Sequence, residues 1–154
     1  MKPLKLVMIT ALALGFCTDL FACDCPEYQI SEIDSISFDK NEIVLIGKII
    51  IIQEDLYEIE IKEVLKGKVE NKKIIGVFSL RQGFRSSCSF YPKYKTDFLL
   101  YLTPVLFDNQ IYYYASQCSG SRSLDQKQKP VASYESDKHL KDWTEEWLEQ
   151  MKNK

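Results

Sequence analysis

The sequence predicts a mainly β domain, a small antiparallel sheet or barrel of five strands with a short helix before it and an amphipathic helix after it. Three observations predict this class. Five segments between residues 42 and 115 are rich in β-branched and aromatic residues. Gly, Pro, Asp and Asn residues stand between several of these segments as turn material. Near each end of the domain, apolar residues recur at helical spacing.

The first predicted element is a short helix over residues 31–39. Ser31 and Asp34 have the Ser-x-x-acid spacing that often starts a helix, and Ile30, Ile33 and Ile36 recur at three-residue steps. We therefore expect a short helix before the first strand.

The five predicted strands follow. Residues 42–53 form a long run of Ile and Val, in which Gly47 predicts a bulge or bend. In residues 57–65, apolar Tyr57, Ile59 and Ile61 alternate with charged residues, so one face of this strand is expected to be buried and the other wet. Shorter runs predict strands over residues 74–80, 98–103 and 111–115, with turns at Gly83, Pro92, Pro104 and Asp108–Asn109.

After the strands, residues 119–133 have no periodicity and are predicted to form a surface loop, with Arg122 as a solvated charge. A helix is predicted to start at Ser136 and to run to about Lys152, because Leu140, Trp143, Trp147, Leu148 and Met151 fall on one stripe. We expect this stripe to pack on the sheet, and His139 to be exposed. The domain is thus predicted over residues 23–132, followed by a packed helix within residues 133–154.

Length, charge and composition favour one globular domain and disfavour nucleic-acid binding. The 154 residues suit about one domain. Twenty basic against 22 acidic residues give a formal net charge of −2, which lacks the basic surplus that nucleic-acid binding needs. The 45% hydrophobic content argues against a disordered chain.

The amino terminus has the pattern of an export signal. Lys2 and Lys5 precede an apolar stretch that is too short to cross a membrane and stay there, and Ala22 is a small residue at its exit. We predict a signal peptide over residues 1–22, with no transmembrane segment in the mature chain and a periplasmic or extracellular location. The alternative is a lipoprotein, in which the thiol of Cys23 would be lipidated.

Cleavage after Ala22 leaves four cysteines, at positions 23, 25, 88 and 118. A zinc site is disfavoured because the later cysteines are 30 residues apart and His139 is the only histidine. A redox dithiol would need a Cys-x-x-Cys in a thioredoxin-like context, which this chain lacks. Two structural disulfides remain, and four cysteines allow three pairings.

A set of short motifs resembles the netrin-like family, and within it the bacterial relatives of the tissue inhibitors of metalloproteinases. The resemblance covers residues 23 to about 124. The motifs are a mature chain beginning Cys-x-Cys, Gly47-Lys48-Ile49, the Glu-Val-Leu-Lys-Gly turn at 63–67, Cys88 in mid-chain, and Cys118-Ser119-Gly120-Ser121-Arg122.

The resemblance implies a five-stranded OB-type barrel with two bridges, Cys23 with Cys88 and Cys25 with Cys118. It also implies that the free α-amine and the carbonyl oxygen of Cys23 chelate the catalytic zinc of a metalloendopeptidase, taking the coordination position kept for water. Asp24 would point into the enzyme pocket, where animal inhibitors carry a small hydroxylated residue. The remaining implied contact residues are Cys25, Pro26, Ser87 and Ser89.

Two other function classes are compatible with parts of the sequence to different degrees. The first is a non-inhibitory module of the cell envelope that binds a protein or glycan through loops or through Tyr112, Tyr113 and Tyr114. The second is an enzyme, which is disfavoured because the predicted bridges use every mature thiol and His139 sits outside any Ser or Cys nucleophile context. No cofactor is expected.

Overall fold

The computed structural model describes residues 24–78, 88–131, 133 and 136–153. The predicted signal peptide, residues 1–22, lies outside this part of the chain, as do Cys23 and Gly83. Within the described ranges, no helix combines the length and the apolar character needed to span a bilayer. The elements are α1 (Ile30–Lys40), β1 (Ile43–Gln53), β2 (Leu56–Lys66), β3 (Lys73–Val77), β4 (Asp97–Phe107), β5 (Gln110–Tyr114), β6 (Arg122–Ser123) and α2 (Asp137–Lys152).

The strands pair into a ring. The hydrogen-bonded order is β1-β2-β3-β5-β4, and β4 also pairs with β1, so five strands close on themselves. The short strand β6 pairs with β4 at Phe98 and Leu99. All these pairs are antiparallel except β3 with β5, which is parallel. The predicted mainly β class with a helix at each end is confirmed, but the expectation of a wholly antiparallel sheet is wrong at this one pair.

Most predicted elements are present within one to four residues of their expected ends. A register shift between Ile46 and Gly47 confirms the predicted irregularity at the glycine. The turn at Asp108–Asn109 is also confirmed, because both residues have positive φ, the geometry of a tight hairpin that matches the twist of its strands. Pro104 is not a turn residue, however, because β4 continues through it to Phe107.

Pro104 is tolerated inside β4 because of where β1 begins. The first residue of β1, Ile43, pairs with Leu102 of β4. Beyond Leu102, β4 pairs with β5, and Pro104 lies opposite Tyr113. One edge of β4 is therefore no longer paired with β1 at Pro104, and a residue without an N–H costs least at such an edge.

The ring encloses the larger apolar core. Alternate residues of β1 and β4 point inward, because successive side chains of a strand point to opposite faces. Burial of this kind supplies the main driving force for folding. The buried residues of this core are Ile43, Leu45, Ile49, Tyr57, Ile59, Ile74, Phe78, Phe90, Phe98, Leu100, Leu102 and Ala115.

The intervening residues of β1 and β4 form a second core on the outside of the ring. Val44, Leu99 and Tyr101 pack there against Trp147 and Met151 of α2. This confirms that the apolar stripe of the last helix covers the sheet. It also explains why β1 and β4 are apolar on both faces, as strands buried on two sides must be.

Candidate functional site

The predicted site residues begin at the first described residue of the chain. Asp24 and Pro26 are exposed, and Cys25 between them is half-buried. Residues 24–29 form no helix or strand, although Tyr28 makes an isolated parallel bridge with Ser133. The predicted chelator Cys23 and the predicted contact Ser87 lie outside the described residues. The described part of the predicted site is therefore an exposed segment that leads into α1.

A disulfide joins this segment to the far end of the domain. Cys25 is bonded to Cys118, with their Cα atoms 5.2 Å apart across 93 residues of sequence. This is the pairing that the family resemblance implied. Cys25 packs against a small buried cluster made of Ile30, Ile33 and Leu140, so α1 and α2 both support the bridge.

The segment at Cys88 lies beside the strand end that leads to Cys118. The Tyr114 hydroxyl donates to the Cys88 carbonyl oxygen at 3.1 Å, and the Gln117 N–H donates to the same oxygen at 2.8 Å. Burial raises the pKa of Tyr114, so its hydroxyl stays protonated and able to donate. The sulfur of Cys88 is in a disulfide, but its predicted partner Cys23 lies outside the described residues, so that pairing stays a prediction.

Ser89 is not available as a contact residue. Its exposure is 1%, and its backbone forms an isolated bridge with Ser116. A side chain buried in this way cannot touch another protein while the fold is intact. We therefore leave Ser89 out of the candidate contact surface, which in the described residues comprises Asp24, the exposed side of Cys25, and Pro26.

A second group of side chains, which we call the Asp34 cluster, is joined by hydrogen bonds and is buried except for the half-buried Trp143: Asp34, Tyr101, Arg122, Trp143 and Thr144. Arg122 donates to both oxygens of Asp34, from Nη1 to Oδ1 at 2.7 Å and from Nη2 to Oδ2 at 2.8 Å. Tyr101 donates its hydroxyl to Oδ1 at 2.7 Å, and Trp143 donates Nε1–H to Oδ2 at 2.8 Å. Arg122 Nε also donates to the Thr144 hydroxyl at 2.9 Å.

The charges of the cluster are compensated inside it. Asp34 and Arg122 both have 0% side-chain exposure, and they form a two-bond ion pair of the kind that Arg geometry favours. Burial disfavours the charged form of Arg122, but Asp34 reverses this by its charge and hydrogen bonds, so that the pKa of Arg122 is raised. Burial, and then the charge of Asp34, raise the pKa of Tyr101 well above its usual range. The carboxylate accepts four hydrogen bonds and is saturated, which indicates a structural role.

The chain around Gly120 fits tightly over the cluster. Gly120 N–H donates to the Ser37 hydroxyl at 2.9 Å, and its carbonyl accepts from Arg122 Nη1 at 2.8 Å. A Cβ at this position would lie 2.5 Å from Asp34 Oδ1. Ser121 Oγ accepts from the backbone N–H of Tyr101 at 3.0 Å.

Three sequence-based expectations are therefore wrong. Arg122 is a buried partner of Asp34 and not a solvated loop charge, and residues 119–133 contain the buried strand β6. Asp34 does not help to start α1, since Gln29 is the N-cap and its N–H donates to Glu32 at 3.2 Å. The sequence did contain a sign of the buried ion pair. The buried residues of α1 are Ile30, Ile33, Asp34 and Ser37, which lie on one face of the helix. A carboxylate on a buried face needs a buried cation as its partner.

Metal binding by the chain itself finds no support in the described ranges, where no three His, Cys, Asp or Glu side chains come together to hold an ion. His139 is exposed on α2, as expected.

No protein-family model matches the chain, and a comparison with curated proteins finds no match. The candidate site is thus an exposed segment before α1, joined by the Cys25–Cys118 disulfide to a stretch of chain that packs on the buried ion pair of Asp34 and Arg122.

Proposed function

We propose that this chain is an exported netrin-like protein that inhibits zinc metalloendopeptidases through its amino-terminal residue, Cys23. The α-amine and the carbonyl oxygen of Cys23 would chelate the catalytic zinc of the enzyme and displace its water. An α-amino group titrates at about pH 7.7–8.0, so part of it is neutral near neutral pH and the metal can displace the remaining protons. The closed ring of five strands is compatible with the OB-type barrel of that family.

The observation that carries the proposal is the Cys25–Cys118 disulfide. It anchors the chain two residues after the proposed chelator, while Asp24 and Pro26 on either side are exposed. A segment that is held in one conformation before binding loses less entropy when it enters an enzyme cleft. An inhibitor that presents its own first residue to a metal needs this combination of exposure and rigidity.

The same disulfide supports the proposal of export. Bridges persist in oxidising compartments such as the bacterial periplasm or the extracellular medium. The intact mass of the exported protein tests the proposal directly: we expect a chain that starts at Cys23, without lipid, and lighter than its reduced form by two hydrogen atoms for each bridge. A diacylglycerol mass on the first residue would support the lipoprotein alternative and would contradict chelation by a free amine.

Inhibition is tested with a panel of zinc endopeptidases. We expect the mature chain to inhibit at least one of them, and a variant with one extra alanine before Cys23 to lose that inhibition, because the amine is no longer beside the carbonyl of Cys23. Equal inhibition by both forms would refute chelation. Asp24→Thr should inhibit more tightly, because a carboxylate that enters an apolar pocket without a partner loses its hydration.

A second function is favoured by a different surface. The hairpin between β4 and β5 exposes three large apolar side chains, Leu106 at 71%, Ile111 at 55% and Phe107 at 42%. Tyr112, Tyr113 and Tyr114 are each half-buried, so they are a minor part of this surface. A non-inhibitory module would bind through the hairpin, and Leu106→Ser with Ile111→Ser would then abolish capture of its partner while the extra amino-terminal alanine would not.

A further inference from the structure

We propose that the Asp34 cluster and helix α2 position the amino-terminal segment, so that the last helix of the chain supports the residue that would bind the zinc. The inference rests on the function proposed above. It assigns a positioning role to Asp34, Arg122, Trp143 and Thr144.

The first step follows the chain from the disulfide into the cluster. Cys118 is bonded to Cys25, and two residues later Gly120 lies against Asp34 and accepts a hydrogen bond from Arg122. A hydrogen bond also joins the residues on either side of Cys118, since the Ser119 hydroxyl donates to the Ser116 carbonyl oxygen at 2.6 Å. The position of the disulfide is therefore set on one side by contacts with the cluster.

The second step concerns α2, which reaches the same place from the end of the chain. Trp143 packs with Cys25 against the cluster of Ile30, Ile33 and Leu140, and its indole N–H donates to Asp34. The next residue, Thr144, accepts from Arg122 and donates to the Leu140 carbonyl oxygen at 2.5 Å. One turn of α2 thus takes part in the apolar cluster on which Cys25 packs and also binds the ion pair of Asp34 and Arg122.

The third step compares the exposure of the segment with the contacts that hold it in place. Asp24, Pro26 and Tyr28 are exposed. Among the described residues, this segment is held by the disulfide and by the bridge of Tyr28 to Ser133, and it continues into α1. The rigidity of an exposed segment cannot exceed that of its anchors. A local loosening of α2 would therefore free the segment without unfolding the ring of strands, because local openings cost less than global unfolding.

The test uses a matched pair at Thr144 in the full mature chain. Thr144→Val keeps the shape but removes the acceptor for Arg122, whereas Thr144→Ser keeps the hydroxyl. Ile59→Val serves as a control, since it removes a methyl group from the core inside the ring, away from α2. Two quantities are measured: the rate at which a thiol reductant opens the Cys25–Cys118 bridge in the folded protein, and the inhibition constant against a sensitive zinc endopeptidase.

We expect Thr144→Val to speed reduction by about tenfold, as the loss of one hydrogen bond to a charged group implies, and to weaken inhibition. Thr144→Ser should restore both quantities. The control should change neither, even where its global stability is lowered to a similar degree. Equal effects of Thr144→Val and Ile59→Val, or no effect of Thr144→Val on reduction, would overturn the positioning role.

The two proposals fail separately. If the wild-type chain inhibits no zinc endopeptidase but Thr144→Val still speeds reduction, the positioning role stands and the inhibitory function fails. If Thr144→Val does not fold, Trp143→Phe takes its place, because it keeps an aromatic ring against the cluster of Ile30, Ile33 and Leu140 and removes the donor to Asp34. Unchanged reduction in that variant would again overturn the positioning role.

Discussion

Two buried tyrosines should respond in opposite directions when each loses one oxygen atom. Tyr57 and Tyr101 have 1% and 0% exposure, and both pack in apolar cores. The Tyr101 hydroxyl donates to the Asp34 carboxylate at 2.7 Å. The Tyr57 hydroxyl is buried and finds no hydrogen-bond partner within the described part of the chain. Substitution by Phe leaves the packing of either ring intact and removes only the hydroxyl.

The magnitudes follow from the two environments. A hydrogen bond to a charged group contributes about 1.5–3 kcal/mol, so Tyr101→Phe should lower the free energy of unfolding by about that amount. A buried polar group without a partner costs about 1–3 kcal/mol, and Tyr57→Phe removes this cost. Tyr57→Phe should therefore raise the free energy of unfolding, which few core substitutions do.

The dependence of the free energy of unfolding on pH above 10 gives a second test. Burial raises the pKa of both tyrosines in the folded state. The unfolded state releases the tyrosine proton at about pH 10, whereas the folded state holds it to a higher pH. The free energy of unfolding is therefore constant below pH 10 as far as this group is concerned, and it falls as the pH rises from 10 towards the folded pKa. Each hydroxyl should then remove up to about 1.4 kcal/mol per pH unit above pH 10, and either Phe variant should flatten this decline.

Urea unfolding with the disulfides intact measures these changes as shifts in midpoint at constant slope. It is run at pH 7 and at several values between pH 9.5 and 11. The reasoning is wrong if Tyr57→Phe is as destabilising as Tyr101→Phe at pH 7. It is also wrong if both variants lose stability above pH 10 as steeply as the wild type.

Two further substitutions test the Asp34 cluster by urea unfolding. Gly120→Ala would place a Cβ 2.5 Å from Asp34 Oδ1 and 2.9 Å from Tyr101 Cε2, so we expect it to destabilise by about 1–3 kcal/mol, and a neutral result would contradict the tight fit. Arg122→Met leaves the Asp34 charge buried without its cation and should cost about 3–5 kcal/mol. The matched control, Lys127→Met, breaks an exposed ion pair and should leave the midpoint unchanged; equal losses would refute the burial argument.

Local patterns were enough to predict most of the regular elements. The alternation of Tyr57 and Ile59 with charged neighbours and the stripe through Trp143 and Trp147 each have one dominant period. These patterns reflect burial on one side of an element, which a chain encodes locally. The mainly β class and the packing of the last helix followed from them and are confirmed.

Features that depend on distant partners could not be predicted in the same way. The parallel pairing of β3 with β5 joins Gly76 to Tyr113, and no local pattern specifies it. The burial of Arg122 depends on Asp34, which lies 88 residues earlier in the chain. The partner of Cys25 was indicated by a family resemblance, since the spacing of the cysteines left three pairings open.

Both tryptophans of this chain lie on α2, which makes the last helix a built-in optical probe. Their rings stack with centroids 5.9 Å apart, and Trp143 is hydrogen-bonded to a buried carboxylate. Intrinsic fluorescence therefore reports whether this helix is docked, whereas the infrared amide I band of the strands reports whether the sheet is intact. A fluorescence transition that precedes the loss of the strand infrared band would reveal undocking of the helix from an intact sheet, without any label added to the protein.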